Sequence, residues 1–124
     1  MIAVGTDILQ VARIEATVER LGERFVARIL TGPERDEYRA SATPCRLLAK
    51  RFAAKEAIAK ALGTGIGRGV SWQDIQIEHD RHGAPLVVLS GGASAVAARR
   101  GASQVALSLA DEHDYVVAFA ALVK

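Results

Sequence analysis

The sequence predicts an α+β fold, a mixed or antiparallel sheet packed against one long central helix, and three observations predict it. The N-terminal residues form a short apolar run, the middle carries the longest stretch of strong helix formers, and the C-terminal half holds four short apolar runs joined by turn residues. The order is strand, helices, then strands around one helix, without strict βαβ alternation. At 124 residues and 50% hydrophobic content there is material for one core. No repeat, low-complexity tract or dividing linker interrupts it, so residues 1–124 are expected to form a single domain.

Ile2 to Leu9 reads as a buried strand. Val11, Ile14, Val18, Leu21 and Phe25 then recur at the three- and four-residue spacing of one helix face, with Gly22 as a weak point in that helix. Thr31 and Glu34 in the pattern T-x-x-E, with Pro33 between them, mark a fresh helix over Glu34 to Arg39. Ala40 to Pro44 reads as loop. Arg46 to Leu62, RLLAKRFAAKEAIAKAL, is the most strongly written helix, and Gly63 supplies its stop. The following GTGIGRGVS is too glycine-dense for helix or strand and must be an open loop. Asp74 to His79 and Pro85 to Ser90 form a hairpin around Asp80 to Gly83. Ala93 to Arg100 is a small Ala-rich helix, and Gln104 to Leu109 with Tyr115 to Val123 makes a second hairpin.

Composition excludes some functions and leaves others open. Sixteen Lys and Arg against fourteen Asp and Glu give a net charge of +2, so any electrostatic argument has to be local. The single cysteine, Cys45, rules out an internal disulfide framework and fits a reducing compartment, with the cytoplasm as the default. MIAVGTDILQ has no cationic leader ahead of a long apolar run, so the expectation is a protein neither exported nor embedded in a membrane.

Glu56 and Lys60 are four apart on the long helix and share a face, just before Gly63 and the glycine loop. A surface ion pair is the plain reading; a carboxylate and an ammonium beside a phosphate-binding turn is the chemical one. Arg51 and Lys55 fall on the apolar arc of the same helix, where they either snorkel to water or surround a polyanion together with Lys60. Asp7 ends the first strand in VGTD and is either an N-cap or, facing Glu56, one of two hard oxygen ligands for Mg²⁺. Two carboxylates are too few to enclose a metal, so a phosphate partner is implied.

GTGIGRG misses the dinucleotide spacing and lacks the G-K-[ST] of a P-loop; it is either a structural loop or one whose N–H groups line a phosphate site. His79, His82 and His113 lack zinc-site spacing and are read as surface residues, and Cys45 has no basic partner to activate it. On the first helix, Arg13, Arg20 and Arg24 share a narrow sector opposite Glu15, Glu19 and Glu23, either a solvated face or a ridge that docks an acidic protein.

VGTDILQVARIE, RFAAKEAIAKALGTGIG and ALSLADEHDYVVA together resemble the phosphopantetheinyl transferases, within them the small bacterial class of holo-[acyl-carrier-protein] synthases, over essentially the whole chain. F-x-x-K-E-A-x-x-K-A followed by G-T-G, at the right distance from G-x-D, carries the match. The resemblance implies the 4'-phosphopantetheinyl transferase fold, a homotrimer, and transfer of the 4'-phosphopantetheine arm of coenzyme A to a serine of apo acyl carrier protein. Adenosine 3',5'-bisphosphate is left behind, Mg²⁺ is the cofactor, and fatty acid biosynthesis is the process served. By motif position, Asp7 and Glu56 match the metal-binding acids, while Arg51, Lys60, Gly63, Thr64 and Gly65 match residues that contact CoA. Glu56 and Lys60 are the catalytic candidates; the sequence does not show which group removes the serine proton, Glu56 through a metal-bound water being the first expectation and Lys60 acting directly the second. Ser108 carries over as a CoA contact, and Arg13, Arg20 and Arg24 match the carrier-protein docking helix. Many relatives have a histidine where this chain has Ala106. Two rivals remain, a non-catalytic CoA-binding relative and a nucleic-acid-binding module; for the second, an aromatic content of 5% offers few stacking platforms.

Overall fold

The computed structural model describes residues 1–124. Strand β1 (Ala3–Gln10) leads into four helices, α1 (Val11–Leu21), α2 (Glu23–Ile29), α3 (Gly32–Ala40) and α4 (Pro44–Leu62). After the glycine loop come a single 3-10 turn (Trp72–Asp74), strands β2 (Ile75–His79) and β3 (Pro85–Leu89), helix α5 (Gly91–Arg99), and strands β4 (Gln104–Asp111) and β5 (Tyr115–Val123). Every pairing is antiparallel: β1-β5-β4 form one sheet and β2-β3 a separate hairpin. The fold class is α+β, as expected.

Two differences from the sequence reading have local causes. Gly22, at φ 63°, ends α1 and starts α2, because only glycine enters that backbone region without cost. Arg24 therefore stands on a different helix from Arg13 and Arg20. The loop expected over Ala40 to Pro44 shrinks to three residues, since Pro44 occupies the first turn of α4, where its missing N–H costs nothing.

Helix α4 is central because it is buried on nearly all sides: 11 of its 19 residues are inaccessible. Six of those are alanines, whose small side chains let β1 and β5 approach closely, while Leu48, Ile58 and Leu62 fill the spaces between. Each such large aliphatic contributes about 1.5–3 kcal/mol of hydrophobic stabilisation. Val116, Ala118, Ala120 and Leu122 of β5 face the helix. The alternate residues Tyr115, Val117 and Phe119, with Val4 and Ile8 of β1, leave the opposite face of the sheet apolar and exposed.

Lys55 lies on the arc read as a phosphate-binding face, but it points inward, where water cannot reach it. Its Nζ donates to Glu34 Oε1 at 2.6 Å, Ile29 O at 2.7 Å and Trp72 O at 3.1 Å, which uses all three of its protons. Glu34 in turn accepts the N–H of Thr31 at 2.9 Å and that of Ile77 at 2.8 Å. Burial holds the ammonium below its ordinary pKa, against the pull of Glu34. Lys55 thus ties α2, α3, α4, the 3-10 turn and β2 together and has no donor left for a polyanion.

Candidate active site

The site is built where β1 crosses the end of α4. A Cβ on Gly5 would lie 2.1 Å from the Ala57 carbonyl oxygen, 2.7 Å from Ala61 N and 2.9 Å from Lys60 Cβ, so the strand lies directly on the helix backbone there. Two residues on, on the same face of the strand, Asp7 is set beside this helix. Lys60 Nζ donates to Thr6 O at 2.9 Å and to Asp7 Oδ1 at 3.2 Å. Glu56, half-buried one turn earlier, has its carboxyl pushed up by burial and then by the Asp7 charge, with Lys60 acting in the opposite direction. Asp7, Glu56 and Lys60 therefore form one cluster. The N-cap alternative for Asp7 falls away: α1 begins at Val11, and Gln10 holds its cap position.

Two carboxylates close enough for the Asp7 charge to push up the Glu56 carboxyl, with a lysine ammonium between strand and helix, are a donor set that suits a hard divalent cation. No group of three or more His, Cys, Asp or Glu side chains gathers anywhere in the chain to hold a metal. A Mg²⁺ here would take two protein ligands and complete its shell from water and phosphate, as Mg²⁺ commonly does.

The glycine loop behaves differently from its sequence reading. Gly63, in the left-handed conformation at φ 85°, turns the chain so that its own N–H donates to Lys60 O and those of Thr64 and Gly65 donate to Ala59 O. Gly67 N–H pairs with Val70 O. The first three satisfy the helix end and are not free to line a phosphate, whereas the N–H groups of Ile66, Arg68 and Gly69 farther along make no backbone hydrogen bond. The turn offers an open surface instead, and the anion charge falls to side chains. One that sequence reading missed stands beside it: Arg100, at the end of α5, donates from Nη1 to Ala61 O at 3.0 Å. No spacing on the chain points to it, because α5 and α4 meet only in the fold.

The other expected residues are more dispersed. Arg51 is 4% exposed, faces Glu37 Oε2 at 3.6 Å, and leaves its Nε without a hydrogen-bond partner. It borders a cavity of about 340 Å³ shared with Lys50, His79 and Asp111, on another side of α4 from Glu56. Ser108 pairs with Phe119 on the exposed sheet face, whereas Asp7 pairs with Ala118 on the buried one, so within one chain they stand on opposite faces. Ala106 shares the Ser108 face. Arg13, Arg20 and Arg24 are exposed. Cys45 is half-buried and its thiol is pushed up, chiefly by burial, which disfavours a nucleophilic thiolate.

A model of the 4'-phosphopantetheinyl transferase superfamily matches residues 3–120. A holo-[acyl-carrier-protein] synthase of Shewanella frigidimarina is 52% identical over 118 residues, 95% of this chain and 94% of that one. The crystal structure of the Neisseria meningitidis holo-[acyl-carrier-protein] synthase superimposes over 100% of both chains, with a TM-score of 0.94 and 44% identity. That of Helicobacter pylori, solved in complex with coenzyme A, covers 96% of this chain and 98% of its own, at TM-score 0.84 and 30% identity.

Proposed function

Because this chain belongs to the 4'-phosphopantetheinyl transferase superfamily, we propose that it transfers the 4'-phosphopantetheine arm of coenzyme A to a serine hydroxyl of apo acyl carrier protein. The observation that carries the reading is the Asp7, Glu56 and Lys60 cluster at the junction of β1 and α4, the one place where two acids and a partly free cation meet the glycine turn.

The serine Oγ attacks the β-phosphorus of the CoA pyrophosphate; its O–P bond forms as the bond from that phosphorus to the bridging oxygen breaks, and adenosine 3',5'-bisphosphate leaves with the electron pair. Glu56, one turn before Lys60 on α4, accepts the serine proton through an intervening water. Lys60, held by Thr6 and Asp7, directs its remaining proton toward the departing phosphate and offsets the charge growing there. Asp7 and Glu56 would hold Mg²⁺, and when bound it supplies charge neutralisation of the pyrophosphate and raises its electrophilicity. Thr64 and Gly65 line the approach, and Arg51, with an unpartnered Nε at its cavity, is an added CoA contact.

Arg13, Arg20 and Arg24 dock the acidic carrier protein; exposed guanidinium groups favour such a partner through encounter and register. The exposed apolar sheet face around Val117 and Phe119 supports the homotrimer, which would also bring Ser108 of one copy toward the active site of another. The protein would act in the cytoplasm, in fatty acid biosynthesis; no helix is long and apolar enough to cross a membrane. Intact-mass analysis of apo acyl carrier protein incubated with CoA, Mg²⁺ and this protein tests the reading. A phosphopantetheine mass gain that chelation abolishes is expected. CoA binding without that gain would favour a non-catalytic relative, and salt-sensitive nucleic-acid binding without either would favour the remaining rival.

A further inference from the structure

Arg100 ends α5 with its backbone N–H on Val96 O at 3.1 Å and Ala97 O at 3.2 Å, so the residue is anchored while its side chain is exposed. The guanidinium reaches across to α4 and spends one of its five donors on Ala61 O at 3.0 Å. It lies against Gly63 so closely that a Cβ there would stand 3.1 Å from Nη1. No carboxylate lies within ion-pair distance of it.

The surroundings give this cation a purpose. The glycine turn presents the C-terminal end of α4, the negative end of its dipole, and its N–H groups are folded back onto Ala59 O and Lys60 O. An anion at this turn therefore needs side-chain cations. Lys60 has two of its three protons committed, to Thr6 O and Asp7 Oδ1. Arg100 has four uncommitted donors in a planar fork, the geometry that grips a phosphate oxygen pair. Gly63 has no side chain to hold the fork away.

We propose that Arg100 binds a phosphate group of coenzyme A over the Gly63 turn while Nη1 stays on Ala61 O. The proposal rests on the reading of the turn as part of the CoA site, and it makes Arg100 a substrate-binding residue that works alongside Lys60.

Steady-state kinetics with CoA varied at saturating carrier protein, on the unaltered protein, Arg100→Gln and Arg100→Lys, test it. Glutamine removes the charge and keeps an amide donor, and a thermal melt reports whether the helix end is disturbed. Arg100→Gln should raise KM for CoA about tenfold, as expected for loss of one charge-assisted contact, with kcat within about twofold and KM for the carrier protein unchanged. Arg100→Lys should recover most of that loss. A KM for CoA that stays within about twofold in Arg100→Gln would overturn the proposal. So would a fall in kcat and melting temperature shared equally by the lysine variant, which would mark a helix cap and nothing more. Calorimetric titration of CoA into the unaltered protein separates the two levels: binding there with none of the Arg100 effects refutes this proposal alone, and no binding refutes the parent reading with it.

Discussion

Replacing Gly5 by alanine places one methyl group where the fold has no room for it. The new Cβ would lie 2.1 Å from the Ala57 carbonyl oxygen, and real Cβ contacts essentially never fall below 3.0 Å, so β1 and α4 must separate by about 1 Å. The obstructing atoms are the helix backbone and Lys60 Cβ, none of which can swing aside as a flexible side chain does. Overpacking of this kind costs about 1–3 kcal/mol, which leaves most domains folded. The effect on turnover should be larger. Asp7 is two residues along the same strand and Glu56 and Lys60 are on the helix being pushed away, so the two carboxylates part by a distance comparable to the displacement, while Mg²⁺ demands about 2.0–2.1 Å to its oxygens. A misplacement of about 1 Å at reacting groups costs about a hundredfold. The assay is conversion of apo to holo carrier protein by intact mass across a Mg²⁺ titration, alongside a thermal melt. Gly5→Ala should melt cooperatively, turn over about a hundredfold more slowly and need more Mg²⁺. Gly32→Ala, where nothing stands within 4 Å of the added methyl, should match the unaltered protein. A Gly5→Ala protein with normal turnover and Mg²⁺ requirement would refute the claim that this contact sets the site.

Glu56→Gln should keep the fold and lose about 10²–10⁴ in kcat at saturating Mg²⁺, the range expected when a general base is removed; near-normal turnover would eliminate Glu56 as proton acceptor. Lys55→Met leaves the Glu34 carboxylate buried and unpaired, and urea denaturation should show a loss of about 3–5 kcal/mol, much of it recovered in Lys55→Met/Glu34→Gln. Because burial lowers the Lys55 pKa, the folded state binds fewer protons than the unfolded chain between that lowered value and the ordinary 10.5. The stability margin of the unaltered protein over Lys55→Met should therefore widen with pH across that window; a margin that narrows would contradict the sign. Arg20→Glu should raise KM for the acyl carrier protein at low salt, with KM for CoA unaffected, and the difference should shrink as ionic strength screens it. Phe119→Asp should shift the protein toward monomers in size-exclusion chromatography with light scattering, since it places a charge on the exposed apolar sheet face.

Elements with strong local chemistry were legible in the chain itself. The α4 helix ended at Gly63 as its stop signal required, and the capping pattern at Thr31 and Glu34 located α3. Most boundaries moved by one or two residues, and two moved where a single residue decides, Gly22 by its backbone angle and Pro44 by its place in the first turn. At the site, Glu56 and Lys60 could be paired by helical spacing, but the meeting of Asp7 with them depends on Gly5 seating the strand on α4, a contact between segments about fifty positions apart. Lys55 was misread because helical projection tells which side of a helix a residue occupies and not what stands opposite it. The opposite wall carries Glu34, on the preceding helix and 21 positions back in the chain. The glycine loop shows a related limit: backbone N–H groups after a helix are available only where the helix does not claim them, and here α4 takes those of Gly63, Thr64 and Gly65 and leaves those of Ile66, Arg68 and Gly69.

The pairing of β5 has a consequence for how the protein is made. This strand, Tyr115–Val123, lies between β1 and β4, so Ala3–Gln10 has no strand partner until a segment about a hundred positions later has been synthesised. During translation the first strand and the face of α4 that β5 covers must wait exposed, and closure of the sheet is a late event of large sequence separation, the kind that slows folding and lengthens exposure to aggregation. Helices α1 to α4 can gather around the Lys55 node in the interim only in part, since Trp72 and Ile77 also belong to it. Ribosome-stalled chains ending before Tyr115 should accordingly be protease-sensitive throughout, and protection should appear in a single step once β5 has emerged.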